Sequence, residues 1–575
     1  MYSIPHIKKV LTNEGATTAH DFDKYVKDAE GRGEDLLQYL VEQKIIAEEQ
    51  LYSQLAASIG KSFVDLKDKT IRQDILFSVP EPIAKTHDIV AFDRGEKGEL
   101  KIAVVDPDDI QTFEFIEKKN KVPVDIALAT PTSIRQAFRL YHQSIETELK
   151  GFTKEAGESS HGEELKKLAT DLPVVRLVNS LLEFAIFEGA SDIHIEPAEK
   201  EVFVRYRIDG ILRTVMTLPK HILSGIVARI KILSNLKLDE HRLPQDGRFK
   251  IEDENYRISF RVSTLPVFDG EKIVMRLLDE SNQQLKLDDL GFREKEMKKI
   301  ESAISKPHGM VLITGPTGSG KTTTLYAIMN RLNTPEVNIS TIEDPIEYRM
   351  PHVNQSQVNP KIGFTFANGL RALLRQDPNI IMVGEIRDAE TVEIAIQAAM
   401  TGHKVLSTLH TNDASSTLPR LLDMGVVSFL IASTVHLVLG QRLVRKICQY
   451  CIMSYTLDKL AVDDLASKLD VVALMKLFQT EGLADTKEKN VDKLLFFKGK
   501  GCNKCGQSGY KGRIGIYEIL EVTETIQKLI ISKATSGEIR AAARASGMAT
   551  MLEDGLIRAK NGVTTLEEIL RVTKE

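Results

Sequence analysis

VLITGPTGSGKTTTLYAIM, Val311–Met329, is the stretch that decides the fold. A short run of buried-strand character leads into Gly315-x-x-x-x-Gly320-Lys321-Thr322, and a helical stretch follows. Strand, glycine-rich turn and helix in that order form a phosphate-binding loop. Its glycines allow successive backbone N–H groups to turn inward around phosphate, and the helix N-terminus adds the positive end of its dipole. Gly315, Pro316, Thr317, Gly318, Ser319, Gly320, Lys321, Thr322 and Thr323 are therefore the candidate nucleotide cradle. Lys321 is expected to reach the β- and γ-phosphates, and the Thr322 hydroxyl to sit on Mg²⁺.

Outward from this loop, short apolar segments (MVLIT, NIST, IIMVG, KVLSTLH) alternate with helical ones, which predicts a parallel sheet covered by helices. The strand Ile380–Val383 runs into Gly384 and Glu385, with Arg387 and Asp388 just beyond. A carboxylate at that strand end suits holding the water shell of Mg²⁺ or orienting an attacking water. Glu343, Asp344 and Glu347 crowd around Pro345 at the end of another strand of the same sheet. Ligands bind at such strand ends in open α/β folds, so one of these acids is a candidate general base. His403 and His410 flank the strand between them, and are candidates for sensing the γ-phosphate or a neighbouring subunit.

The rest of the chain frames this core. At 575 residues several domains are expected. Residues 1–150 read as an N-terminal α/β domain, with a helical segment over Asp35–Leu55 and strands over Leu100–Asp106 and Pro123–Ala129. The polar stretch 151–165, opening GFTKEAGESSHGEE, has linker composition. A second α/β domain, 166–283, carries a helix over Val174–Glu188 and strands over Val202–Ile208, Tyr256–Val262 and Lys272–Leu278, and the polar stretch at Asp279–Gln284 leads out of it. The nucleotide core is assigned to 284–440, a cysteine module to 441–512 and a helical end to 513–575.

Apolar residues at 42% and charged residues at 27% are ordinary for a globular protein, and 76 basic against 81 acidic side chains leave no whole-chain footprint for nucleic acid. Lys8 and Lys9 are followed by no apolar run of signal-peptide type, and the most apolar stretch, Val426–Leu439, is too short and too interrupted to span a bilayer. A cytoplasmic protein is expected.

All four cysteines fall in two C-x-x-C pairs, Cys448 with Cys451 and Cys502 with Cys505, and GCNKCGQSGYKG has the look of a zinc knuckle. Four thiolates suit a closed tetrahedral Zn²⁺ site. A redox pair is the alternative, without thioredoxin-like context to support it.

Taken together, the phosphate loop, EDPIE at Glu343–Glu347, the strand ending at Glu385 and LHTN at Leu409–Asn412 resemble, in order, the four signature boxes of the type II/type IV secretion ATPase family. The resemblance extends through GASDIHIEP (Gly189–Pro197), RLPQDGR (Arg242–Arg248), RVSTLP (Arg261–Pro266) and GRIGIYEIL (Gly512–Leu520). It implies a RecA-like P-loop core preceded by a PAS-like domain. It further implies a homohexamer that hydrolyses ATP with Mg²⁺ at the cytoplasmic face of the inner membrane, working on a membrane platform protein and only indirectly on pilin.

By family position it assigns Glu347 as base, Glu343 as its neighbour and Glu385 as the Walker B acid on magnesium with Thr322. It also assigns Arg248 and Arg261, with Arg276 in IVMRLL as a further candidate, as arginines completing the site. His410 is the stronger phosphate sensor and His403 the weaker. The zinc module and long N-terminal domain resemble the assembly branch, which implies type IV pilus assembly, with type II secretion as the alternative. The N-terminal domain is similar to the MshEN kind, but IPHIKKVLTNEGATTAHDF and GRGEDLLQYLVEQKIIAEEQL lack the Arg-Leu-Gly start of cyclic di-GMP-binding members, which argues against that ligand. A nucleic-acid motor would need a basic channel and helicase-type motifs, and neither is read here. The intact Lys321, Thr322, Glu347 and Glu385 argue against a non-catalytic scaffold.

Overall fold

The computed structural model describes residues 4–13, 17–32, 36–67, 69–95, 98–149, 172–252, 257–280, 286–485, 487–488 and 490–573. The expected linker 151–165 and most of the connector after Asp279 lie outside them. The chain divides near Leu277 into two compact units.

In the first unit, β1 (Ser62–Phe63), β2 (Ile89–Arg94), β3 (Leu100–Val104) and β4 (Val124–Leu128) form one sheet in the order β1-β4-β3-β2. The helical reading of Asp35–Leu55 is corrected, since two helices, Leu36–Glu42 and Glu48–Ser58, are separated by a turn in which Lys44 has φ 57°. The break lets Leu40 and Leu51 reach the same apolar cluster from different directions.

A second sheet follows in this unit, from β5 (Asp192–Pro197), β6 (Glu201–Ile208), β7 (Ile211–Pro219), β8 (Gln245–Glu252), β9 (Arg257–Val267) and β10 (Gly270–Asp279), ordered β7-β6-β5-β10-β9-β8. Along β6, β9 and β10 burial alternates: Val204, Tyr206, Phe260, Val262, Ile273 and Met275 are buried. Because successive strand residues face opposite sides, Arg248, Arg261 and Arg276 fall on the face turned away from that core.

In the second unit, β11 (Gly309–Thr314), β12 (Ile339–Glu343), β13 (Val353–Gln357), β14 (Ile380–Val383), β15 (Lys404–Leu409), β16 (Val435–Ile447) and β19 (Tyr510–Glu521) make a seven-stranded sheet ordered β13-β12-β14-β15-β11-β16-β19. All its pairings are parallel except that of β16 with β19. Every residue of β11, β14 and β15 is buried. Both faces are covered: Leu312, Ile381 and Val405 pack into one cluster, Val311, Met382 and Leu406 into the other. The antiparallel pair β17 (Ile452–Tyr455) and β18 (Phe496–Gly499) belongs to the cysteine module, where Phe478 and Phe496 share a cluster with Leu556 and Ile569 of the last helices.

Candidate active site and metal centre

Parallel pairing brings the C-terminal ends of four strands to one edge. Thr314 runs into the glycine-rich loop, Glu343 into the acidic turn, Val383 into Gly384-Glu385, and Leu409 into His410.

The loop is shaped by its glycines. Gly315 has φ 147°, and a Cβ there would stand 2.4 Å from the Gln441 carbonyl oxygen; Gly318 and Gly320 have φ 79° and 87°. Gln441 of β16 clamps the loop from behind: its Nε2 donates to the Ser319 carbonyl (2.6 Å) and its Oε1 accepts from the Thr324 hydroxyl (2.8 Å). Lys321 opens the helix Lys321–Leu332, and its Nζ donates to the carbonyls of Gly315 (2.8 Å) and Pro316 (3.0 Å). Burial lowers its pKa, opposed by the nearby Glu385 carboxylate. Thr322 is exposed beside it. Backbone N–H groups and one ammonium, with no acid in the loop, are a donor set that fits a phosphate chain.

Glu385 is largely buried and both its oxygens are engaged. Arg387 Nη2 stands 2.5 Å from Oε1 and His410 Nε2 3.1 Å from Oε2. Asp388 is instead a helix cap, accepting the Thr391 N–H at 2.8 Å at the start of Ala389–Met400. His410 lies at the phosphate end of its strand. His403 does not: it precedes Lys404 at the opposite end, a strand length of about 20 Å away, and its Nδ1 lies 3.0 Å from the Ala398 carbonyl. The two ends also differ in anchoring, since the Thr411 N–H after His410 donates to Thr314 Oγ1 at 2.9 Å.

Glu343 sits at the right edge but faces inward. It is buried, its Oε1 accepting from Thr341 Oγ1 (2.6 Å) and Gln355 Nε2 (3.1 Å) and its Oε2 from the Tyr326 hydroxyl. Burial raises its pKa, outweighing these hydrogen bonds, and burial also pushes the Tyr326 hydroxyl up, so that Tyr326 is a neutral donor. Glu347 occupies the turn after Glu343, its backbone N–H 3.4 Å from the Tyr326 oxygen. Tyr326, Gln355 and Gln441 were not among the residues expected from sequence. Tyr326 reads as an ordinary core residue of a helix, and the two glutamines belong to no motif quoted above.

In the first unit, Arg276 is committed to Asp192 (Nε to Oδ1, 3.1 Å), which also holds Arg207. Arg248 is exposed and Arg261 half-buried.

The four cysteines converge although 50 residues separate the pairs. Their sulfurs all lie within 4.8 Å of one another, with Cys448–Cys502 at 3.8 Å, Cys451–Cys505 at 3.9 Å and Cys502–Cys505 at 3.7 Å. A tetrahedron with metal–sulfur bonds of about 2.3 Å has edges of about 3.8 Å, so the donor set fits a four-thiolate metal site. Burial and the neighbouring thiols push Cys502 up to about 12, whereas Cys505, despite burial, is held down by N–H groups of Cys502 (3.2 Å) and Gly509 (3.3 Å). A cation at the centre of the cluster would favour the thiolate form of its ligands.

Fold and site define a P-loop nucleotide hydrolase with a RecA-like core. Residues 167–571 match the family described as type II/IV secretion system protein, and residues 59–148 match the MshEN domain. The chain is 38% identical over 571 residues to the type IV pilus assembly ATPase PilB of Myxococcus xanthus, covering 98% of each chain. It is 44% identical over 420 residues to the type II secretion system ATPase E of Vibrio cholerae, covering 73% of this chain and 79% of that one. The X-ray structure of the Yersinia pseudotuberculosis ATPase DotB superposes with TM-score 0.51 at 22% identity, over 69% of this chain and 92% of that one, and shows the shared fold. This chain belongs to the type II/IV secretion ATPase family and is an ATP-hydrolysing enzyme of it. Among the described residues no helix is long and apolar enough to cross a membrane.

Proposed function

We propose that the chain is the subunit of a homohexameric motor that hydrolyses MgATP at the cytoplasmic face of the inner membrane. In this reading it drives type IV pilus assembly through a membrane platform protein, with pilin moved only indirectly. What carries the reading is similarity from end to end: the pilus assembly relative is matched over 98% of both chains, N-terminal domain included, whereas the type II secretion relative matches over 73% of this one. Type II secretion remains the second reading, favoured by the higher identity, 44%, of that shorter match. Deleting the gene separates the two. Loss of surface pili with unchanged secreted hydrolases supports pilus assembly; intact pili with lost secretion supports the alternative.

Within the site, the backbone of Gly315–Thr323 and Lys321 would hold the β- and γ-phosphates, and Thr322 with Glu385 would hold Mg²⁺, which neutralises phosphate charge when bound. Glu347 takes the proton of the attacking water. His410 orients Glu385, and Arg248 and Arg261, more than the committed Arg276, supply guanidinium charge to the γ-phosphate from the second domain. The cysteines would hold Zn²⁺ as a structural ion. Glu347→Gln is expected to bind ATP normally and to lose turnover by about 10²- to 10⁴-fold. Turnover at the wild-type rate would remove Glu347 from the mechanism.

A further inference from the structure

Behind the acidic turn lies a buried polar cluster that the phosphate chemistry does not use. Tyr326 sits five residues after Lys321 on the same helix and is 1% exposed. Its hydroxyl donates to Glu343 Oε2 and its oxygen lies 3.4 Å from the Glu347 backbone N–H. Gln355, on the neighbouring strand β13, reaches into the same cluster: its Nε2 donates to Glu343 Oε1 and to the Tyr348 carbonyl, both at 3.1 Å, and its Oε1 accepts the Met350 N–H at 2.8 Å. The Tyr326 and Tyr348 rings meet edge to face at 4.6 Å. The turn that carries Glu347 is thus bonded at Glu347, Tyr348 and Met350 to a cluster rooted in the helix that begins with Lys321.

We infer that Tyr326, Glu343 and Gln355 are positioning residues for ATP hydrolysis: they fix the turn bearing Glu347 to the phosphate-loop helix, so that the carboxylate and the phosphate cradle keep one geometry. The inference rests on the reading of Glu347 as base. It assigns Glu343 a positioning role without contact to nucleotide. Displacing a reacting group by about 1 Å costs up to about 10²-fold in rate, and the cluster is what prevents such a displacement. Because the cradle itself is held by Gln441 and the glycines, nucleotide affinity does not depend on the cluster.

The test uses the full-length protein with Tyr326→Phe, which removes one oxygen and keeps the ring. The expected result is a fall in kcat of about 10- to 100-fold, with KM and the Kd of a fluorescent non-hydrolysable ATP analogue within about twofold of wild type. Gln355→Met, which loosens the turn from the other side, is expected to lower kcat in the same way. In the double variant Tyr326→Phe/Glu347→Gln, the rate should be no lower than in Glu347→Gln alone, because Tyr326 acts through Glu347. If Glu347→Gln is inactive while Tyr326→Phe keeps its full kcat, the positioning role is overturned and the base reading stands. If Tyr326→Phe weakens nucleotide binding as much as it lowers kcat, or the double variant is slower than the single, the positioning role is likewise overturned. If Glu347→Gln hydrolyses ATP normally, the base reading fails and takes the inference with it.

Discussion

Glu518 offers the sharpest test of how the C-terminal segment is joined to the ATPase core. It lies on β19, buried, and accepts the Ala414 N–H at 3.0 Å from the loop that follows His410; Arg540 pairs with Asp413 of the same loop at 2.5 Å. Burial, and then the nearby Asp413 carboxylate, raise its pKa from 4.5 to about 7. Below about pH 4.5 the acid is protonated folded and unfolded alike, so its full contribution to stability is present there. Between about 4.5 and 7 the unfolded chain releases the proton while the folded chain keeps it, and stability falls until the folded acid itself ionises near pH 7. The interval sets a ceiling of about 3 kcal/mol. Glu518→Gln keeps an oxygen for the Ala414 N–H and cannot ionise, so about 1–3 kcal/mol should be gained at pH 8 and about a quarter of that at pH 5. Scanning calorimetry of the full chain reads this as a rise of about 2–6 °C at pH 8. The relevant transition is the one that ATP analogue moves upward. A variant whose transition keeps the wild-type pH slope between 5 and 8 would refute the argument.

Two further outcomes follow from the same unit. Cys502→Ser/Cys505→Ser should abolish stoichiometric zinc, measured by plasma mass spectrometry on the purified protein, and open the β17–β18 strand pair to protease while Glu343 and the phosphate loop stay protected. Arg445→Met should lower stability by about 2–4 kcal/mol. It removes the 2.7 Å partner of the buried Glu568 and the cation over the Tyr510 ring, leaving the half-exposed Arg571 as counter-charge and the backbone N–H of residue 445, which still donates to Glu568 Oε1 at 3.1 Å; denaturant unfolding checks the value, and adding Glu568→Gln should recover part of the loss.

What could be read from the sequence divides along a physical line. β11, β14 and β15 were legible because strands buried on both faces are continuous apolar runs. The phosphate loop was legible because glycines at positive φ are demanded locally. β16 and β19 were not assigned. Their pairing joins Leu437 to Glu521, more than eighty residues along the chain, and no local periodicity carries that information. The cysteine pairs escaped this limit only because thiol chemistry names its partners regardless of distance.

The same line runs through the site. Lys321, Glu385 and His410 were legible because charged or polar residues directly following buried strands, or opening a helix after glycines, are locally unusual. His403 met that local criterion equally well and lies at the wrong end, because strand direction, not strand proximity, decides which end faces phosphate. Tyr326, Gln355 and Gln441 failed the criterion, yet the first two hold Glu343 and the turn bearing Glu347, and the third holds the phosphate loop. An aromatic in a helix is core by default, and a glutamine on a strand is unremarkable until the structure shows both its amide atoms taken. Such residues would be scored as stability positions by any local reading. They are distinguished only by a measurement that separates rate from affinity, and that is why the Tyr326 hydroxyl, a single atom far from phosphate in sequence logic but one bond from the Glu347 amide in space, is the informative place to cut.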